Sequence, residues 1–199
     1  MNNYFTILLL FLFITCKTVK RTIIITQKET ILPVYALLSN DTQRIIRLCF
    51  PIKVNLKNTS SSEQSFIKIN YQYNSITTPI GNFIKLYKEQ NKVLEKISNN
   101  KKKTLFPKTN NNYVLYTLHY ISKKTSSSKK LQTYTNKMLT TNKDTLHIGT
   151  VTEFRQKHPK LFQQLTKNDR ISIQFLEGKK LGKPISIPVT WYNRFYSCQ

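Results

Sequence analysis

Short segments in which apolar and polar residues alternate are the feature that most limits how this chain can fold. The segments 52–57, 67–73, 171–175 and 185–191 all show this alternation. A period of two places the apolar side chains on one face of a strand, so each segment predicts a half-buried strand. The pattern therefore predicts a mainly β protein with antiparallel pairing.

The order of these segments suggests which strands are neighbours. The first two are separated by the polar stretch 58–64 (NTSSSEQ), and we expect them to form an antiparallel hairpin with a long connection. The last two are separated by Gly178–Pro184, and we expect a second hairpin there.

Three further segments complete the predicted sheet. Segment 83–97 (FIKLYKEQNKVLEKI) fits either a helix or a hairpin turning at 89–92, and we favour the hairpin. Segment 113–121 (YVLYTLHYI) has bulky residues on both faces, which is typical of a central strand. We expect one more strand in 131–139.

Segment 152–166 is the part of the chain with a clear helical period. Thr152 is a candidate N-cap, and Pro159 should kink the helix or split it into two. One apolar stripe is expected to cover the sheet; it consists of Phe154, His158, Leu161, Phe162 and Leu165. The sequence therefore predicts an antiparallel β-sandwich of about seven to nine strands, with one short helix or helical hairpin near 152–166.

The N-terminus begins with an apolar run at 4–14 (YFTILLLFLFI). Spanning a bilayer takes about 20 apolar residues, so the run is too short for that and has the length of a signal-peptide core. The run ends with Phe13 and Ile14, and Thr15 and Cys16 follow it. The four residues Phe13-Ile14-Thr15-Cys16 resemble the lipobox of bacterial lipoproteins, in the looser form found in Bacteroidota. The resemblance implies that Cys16 is diacylated and becomes the new N-terminus. The alternative is an uncleaved leader.

This resemblance sets the expected organisation of the chain. Residues 1–15 would be the signal peptide, 16–43 a lipidated and extended N-terminal segment, and 44–199 the β-sandwich domain. Surface-exposed lipoproteins of Bacteroidota often carry acidic residues after the cysteine, whereas 17–21 here is basic (KTVKR). The resemblance thus implies an outer-membrane lipoprotein of the cell envelope that faces the periplasm.

Lipidation of Cys16 would leave two thiols, Cys49 and Cys198. In an oxidising compartment they can form one intrachain disulfide, which closes a loop of about 150 residues and stabilises by roughly 4–5 kcal/mol in the chain-entropy model. Two unpaired, buried thiols are the alternative.

The chain is strongly basic, with 32 Lys and Arg against 9 Asp and Glu and a formal net charge of +23. A solvated surface explains this charge, and so does an anionic partner. The expected partner of an exported protein is an anionic lipid or glycan rather than nucleic acid. The candidate anion-binding residues lie in loops beside segment 113–121; they are Lys101, Lys102, Lys103, Lys123, Lys124, Lys129 and Lys130.

Side chains for catalysis or metal binding do not form a recognisable motif. His119 and His147 fall within predicted strands, and His158 on the predicted helix, with no ligand spacing between any two. The acidic residues fall mostly in predicted turns, where capping explains them. We therefore expect no enzyme activity, no metal and no cofactor.

Three functions are consistent with these features. The first is a non-enzymatic envelope lipoprotein, held to the membrane by its lipid, that binds a partner protein or fills a structural place in an assembly. The second is an immunity or inhibitor lipoprotein that protects against a toxin. The third, an envelope hydrolase, has no motif in its favour.

Overall fold

The computed structural model describes residues 22–72, 84–121 and 130–191. These residues form three helices, α1 (Gln132–Thr140), α2 (Val151–Lys157) and α3 (Pro159–Thr166). They also form eleven strands, which are β1 (Ile23–Lys28), β2 (Pro33–Ser39), β3 (Arg44–Asn58), β4 (Gln64–Gln72), β5 (Ile84–Gln90), β6 (Val93–Ile97), β7 (Lys103–Leu105), β8 (Asn110–Tyr120), β9 (Thr145–Thr150), β10 (Arg170–Glu177) and β11 (Lys180–Pro188).

The strands form two antiparallel sheets. The larger, seven-stranded sheet is curled and contains the path β6-β5-β8-β3-β2-β9. Its seventh strand, β1, pairs with β3 along the same edge as β2. The smaller sheet has the order β11-β10-β4-β7. The predicted mainly β, antiparallel sandwich is thus confirmed, with more strands than the seven to nine expected. The extra strands include β1 and β2, which lie within the stretch 16–43.

The core lies between the two sheets. Phe50 of β3 and Leu115 of β8 contribute to it from the larger sheet, and Phe66 of β4 and Ile173 of β10 from the smaller one. Apolar residues of the helices, such as Phe162, complete it. β8 lies between β3 and β5, so the prediction of a central strand at 113–121 is confirmed.

Two of the predicted hairpins are present. β5 and β6 turn at Asn91 and Lys92, whose φ angles are 49° and 65°, so the hairpin interpretation of 83–97 is confirmed. β10 and β11 also pair as predicted. Their turn is shorter than expected and uses Gly178 at φ 65°, a backbone conformation that glycine adopts without steric cost.

The hairpin predicted between 52–57 and 67–73 is wrong, because β3 and β4 belong to different sheets. Asn58, at the end of β3, explains the crossing. Its fully buried side-chain amide donates to the carbonyl oxygens of Ser62, Leu105 and Phe106 at 2.8–3.2 Å. These bonds hold the chain in a loop that leaves one sheet and enters the other.

The helical regions differ in part from expectation. The strand predicted at 131–139 is wrong: α1 occupies this region, and Leu131, Thr135 and Met138 are buried at the spacing i, i+4, i+7, which fits a helix. Pro159 does split 152–166, since it begins α3 directly after α2. None of the helices in the described part of the chain has the length and hydropathy that crossing a bilayer requires.

Candidate functional site

The seven-stranded sheet has a second apolar face, directed away from the smaller sheet. Along β8, Tyr113 and Leu115 face the core, whereas Val114 and Tyr116 face the opposite side, as strand geometry requires. Cys49 of β3 is buried with these two residues. We call this side the outer face. Partly exposed apolar side chains, among them Tyr35 and Tyr87, pack against these buried residues, so the face is a candidate binding surface.

A pocket of about 340 Å³ lies on the outer face. This volume is at the lower end of the range of small-molecule sites. We refer to it as the outer-face pocket. Six strands of the larger sheet and the residue before β2 line the pocket; the strands are β2, β3, β5, β6, β8 and β9. The lining residues are Leu32, Tyr35, Leu37, Cys49, Lys85, Tyr87, Leu94, Tyr116 and Thr145.

Three tyrosine rings pack edge to face in this pocket. The ring centroids of Tyr35 and Tyr116 are 5.1 Å apart at 60°, and those of Tyr87 and Tyr116 are 5.8 Å apart at 78°. Burial raises the pKa of Tyr116, and the neighbouring tyrosines Tyr35 and Tyr87 raise it further. Burial likewise raises the pKa of Tyr87. The pocket therefore presents aromatic surface and neutral hydroxyl groups at physiological pH.

The charged groups near the pocket are mainly positive. Lys85 lines it, and Arg47 lies two residues before Cys49 on the same face of β3. The guanidinium of Arg47 lies 4.9 Å from the ring centroid of Tyr120, and its Nε is buried without a hydrogen-bond partner among the described residues. Glu89 of β5 is neutralised by Lys53 at 2.6 Å. The electrostatic environment therefore favours an anionic group.

Cys49 contributes a thiol rather than a thiolate to the pocket. Burial raises its pKa to about 11, although the positive charges of Lys85 and Arg47 partly oppose that increase. A protonated thiol is a poor nucleophile. Cys16 and Cys198 lie outside the described residues, so lipidation and the pairing of Cys49 with Cys198 stay predictions.

The structure separates the predicted lysine patch into different environments. Lys101 and Lys102 are exposed. Lys103 is only 9% exposed, and its Nζ donates to the carbonyl oxygens of Ile67 and Lys101 at 2.6 and 2.8 Å. The prediction that Lys103 belongs to an exposed patch is therefore wrong, because β7 buries its side chain against β4. Lys130, before α1, is exposed; the other predicted lysines, Lys123, Lys124 and Lys129, lie outside the described residues.

A second group of functional side chains lies inside the sandwich. Tyr71 Oη donates to Asp169 Oδ2 at 2.5 Å and lies 3.1 Å from His119 Nε2. Thr117 Oγ1 is 3.0 Å from the same nitrogen, and Trp191 Nε1 donates to Asp169 Oδ2 at 2.9 Å. We call these five residues the buried polar cluster. It links β8 of the larger sheet to β4 of the smaller one.

Burial shifts both titratable groups of this cluster toward neutrality. It lowers the pKa of His119 to about 4. It also raises the pKa of Asp169 to about 7, an effect that the hydrogen bonds from Tyr71 and Trp191 only partly offset. His119 Nδ1 lies 3.0 Å from the carbonyl oxygen of Leu165, which can only accept, so this nitrogen carries the proton. The buried polar cluster therefore links elements of the core rather than opening to a substrate.

Sequence reasoning placed His119 correctly in a strand but treated Asp169 as a solvated turn residue. Asp169 is 3% exposed. The available signal was its position two residues before the alternating segment 171–175, where a buried strand begins. The pocket tyrosines were also missed, because Tyr35, Tyr87 and Tyr116 are far apart in sequence and come together only through the strand order.

Metal binding has no support in the described ranges, which contain no group of three His, Cys, Asp or Glu side chains placed to hold an ion. Comparisons with protein-family models, with curated proteins and with solved structures find no match to this chain. What the outer-face pocket can do follows from its own geometry. That geometry is suited to binding: it combines apolar walls, aromatic rings and a positive charge in a space of small-molecule size.

Proposed function

We propose that this chain is a lipid-anchored protein of the bacterial envelope that acts by binding, and that the outer-face pocket is its binding site. The observation that carries the proposal is the pocket of about 340 Å³ built by side chains from six strands of one sheet. A pocket on a sheet face is held in place by backbone hydrogen bonds, so little conformational entropy is lost when a ligand binds.

Binding rather than catalysis is favoured by the state of the reactive groups. Cys49 lines the pocket, and when it is unpaired its thiol has a pKa of about 11 and is protonated at neutral pH. His119 and Asp169, the pair that resembles an acid and a base, are 0% and 3% exposed. Neither of these two residues lines the pocket.

The membrane anchor is supported by the apolar run at 4–14 and by the position of Cys16 after it. Two or three acyl chains on Cys16 give durable attachment. Outer-membrane attachment facing the periplasm follows from the same resemblance and from the basic residues at 17–21. Mass spectrometry of the N-terminal peptide from native envelopes tests the anchor: a diacylglyceryl mass on Cys16 is expected, and a chain that begins with Met1 contradicts it.

The binding site is tested by photoaffinity labelling of the protein in its own membrane. The probe is a neutral long-chain alcohol that carries a diazirine, and labelled peptides are mapped by mass spectrometry. We expect labelling in the peptides that contain Tyr35, Tyr87 or Tyr116. Thr145→Trp, which fills the pocket from its exposed edge, should abolish it, whereas Thr141→Trp, exposed but outside the pocket, should not. Equal labelling of both variants rejects the pocket as the site.

A further inference from the structure

The outer-face pocket combines two chemical environments that a single ligand can satisfy. Leu32, Leu37 and Leu94 provide apolar contacts, and burying apolar ligand surface against them is favourable. Lys85 provides a positive charge on the same pocket. A ligand with an apolar body and one charged group would use both.

The positive charge is not balanced by carboxylates of the described residues nearby. The one ion pair within the described ranges joins Lys53 to Glu89, which removes the carboxylate of β5 as a partner for Lys85. Arg47 adds a second positive charge beside the pocket, and both cations act on the buried thiol of Cys49. The charge that complements this arrangement is negative.

The ring geometry argues against a sugar as the main ligand. Sugar rings bind best on an open, flat aromatic face, whereas Tyr35 and Tyr87 each pack against Tyr116 with interplanar angles of 60° and 78°. Mutually packed rings instead form a continuous apolar lining. Such a lining is suited to an alkyl or aromatic body.

We infer that the outer-face pocket binds a single-chain anionic amphiphile, with its chain against Leu37, Leu94 and the tyrosine rings and its anionic group at Lys85. This inference rests on the proposed function and names the ligand class of the same site. The contact at Lys85 is a charge-assisted hydrogen bond at an exposed position, so it adds selectivity more than affinity.

The experiment compares two diazirine probes of equal chain length, a long-chain carboxylate and the corresponding alcohol, applied to the protein in its membrane. We expect the carboxylate to label pocket peptides more strongly than the alcohol. Lys85→Gln should reduce carboxylate labelling by about fivefold, as expected for the loss of one partly screened charge contact. Its effect on alcohol labelling should be smaller than its effect on carboxylate labelling. Higher salt should have the same selective effect.

Lys88→Gln is the matched control, because Lys88 lies on the same strand and faces the other side. Three outcomes can be distinguished. Selective loss of carboxylate labelling in Lys85→Gln alone supports the inference. Equal labelling by both probes, unaffected by Lys85→Gln, overturns the anionic ligand but leaves the proposed binding site intact. Absence of pocket labelling by either probe overturns the proposed function as well.

Discussion

The hydroxyl of Tyr71 donates to Oδ2 of Asp169 over 2.5 Å, inside a core where His119 approaches the same hydroxyl from the opposite sheet. Burial makes the folded protein keep a proton on Asp169 and release one from His119. On folding, Asp169 therefore takes up a proton and His119 releases one, and the stability of the fold depends on pH through both groups.

Between about pH 4 and pH 6.5, His119 is protonated only in the unfolded chain and Asp169 only in the folded protein. The pKa shift of His119 raises the free energy of unfolding as pH rises, and the shift of Asp169 lowers it, so the two effects cancel. Asp169→Asn should leave only the first. Its free energy of unfolding, relative to wild type, should rise with pH across this window, by up to about 1 kcal/mol per pH unit.

His119→Gln should show the opposite trend, since only the Asp169 linkage remains. Urea denaturation at half-unit pH steps measures both differences. Asp144→Asn is the control, because Asp144 is exposed, and its curve should run parallel to wild type. Parallel curves for all three variants would contradict the assigned protonation states.

The start of α2 gives a second prediction. Thr150 and Glu153 form a capping box, in which the Thr150 hydroxyl accepts from Glu153 N and Glu153 Oε2 accepts from Thr150 N at 2.6 Å. Thr150→Ala should lower the free energy of unfolding by about 1 kcal/mol. Thr152→Ala, at the position that the sequence suggested as the cap, should have a much smaller effect in the same urea titration. The reverse ranking would reject the box.

Gly149 precedes this cap at φ 99°, and an added Cβ would lie 2.7 Å from Glu153 Oε2. Gly149→Ala should therefore combine backbone strain with loss of the box. Gly178→Ala is the matched control, since its φ is 65° and nothing lies within 4 Å of an added Cβ. Gly149→Ala should be the more destabilising of the two, and equal effects would show that the contact with Glu153 is unimportant.

The lysine clusters show how far the sequence could predict the site. The sequence distinguished strand from helix wherever apolar residues had a clear period, as in β10 and α2. It failed where the period was weak, as in 131–139, and where pairing depended on a distant partner, as for β3 and β4. Lys103 looks like its two neighbours in sequence; only the placement of β7 beside β4 buries it.

Lys103 therefore provides a further prediction. Lys103→Met leaves the carbonyl oxygens of Ile67 and Lys101 without their donor and should cost about 1–3 kcal/mol of stability. Lys101→Met should cost little, because Lys101 is exposed. The urea midpoints of the two variants are measured side by side. Equal midpoints would contradict the buried role of Lys103.

The expected anionic partner of the basic surface can then be tested without disturbing the fold. In a Cys16→Ser background, which removes the acyl anchor, the double variant Lys101→Glu and Lys102→Glu should cosediment less than the parent chain with vesicles that contain anionic lipid. Binding of the parent chain should fall with added salt. The urea midpoint of the double variant should match that of the parent chain. Unchanged vesicle binding would exclude these two lysines from the surface contact.

The predicted disulfide gives another test. Cys49 faces the outer face, so a bridge would bring residue 198 to the side of the sheet that carries the pocket. Peptide mapping of the exported protein without reduction should recover Cys49 linked to Cys198. Alkylation of both thiols after unfolding in the absence of reductant would instead establish two unpaired cysteines.

The central claim is that the outer-face pocket holds an anionic amphiphile. It is tested most directly by native mass spectrometry of the protein extracted from its envelope without detergent. We predict one noncovalently bound anionic amphiphile per wild-type or Thr141→Trp chain and none on Thr145→Trp, each variant carrying the acyl mass on Cys16. A bound molecule retained equally by Thr145→Trp, or a wild-type protein that carries none, would contradict the claim.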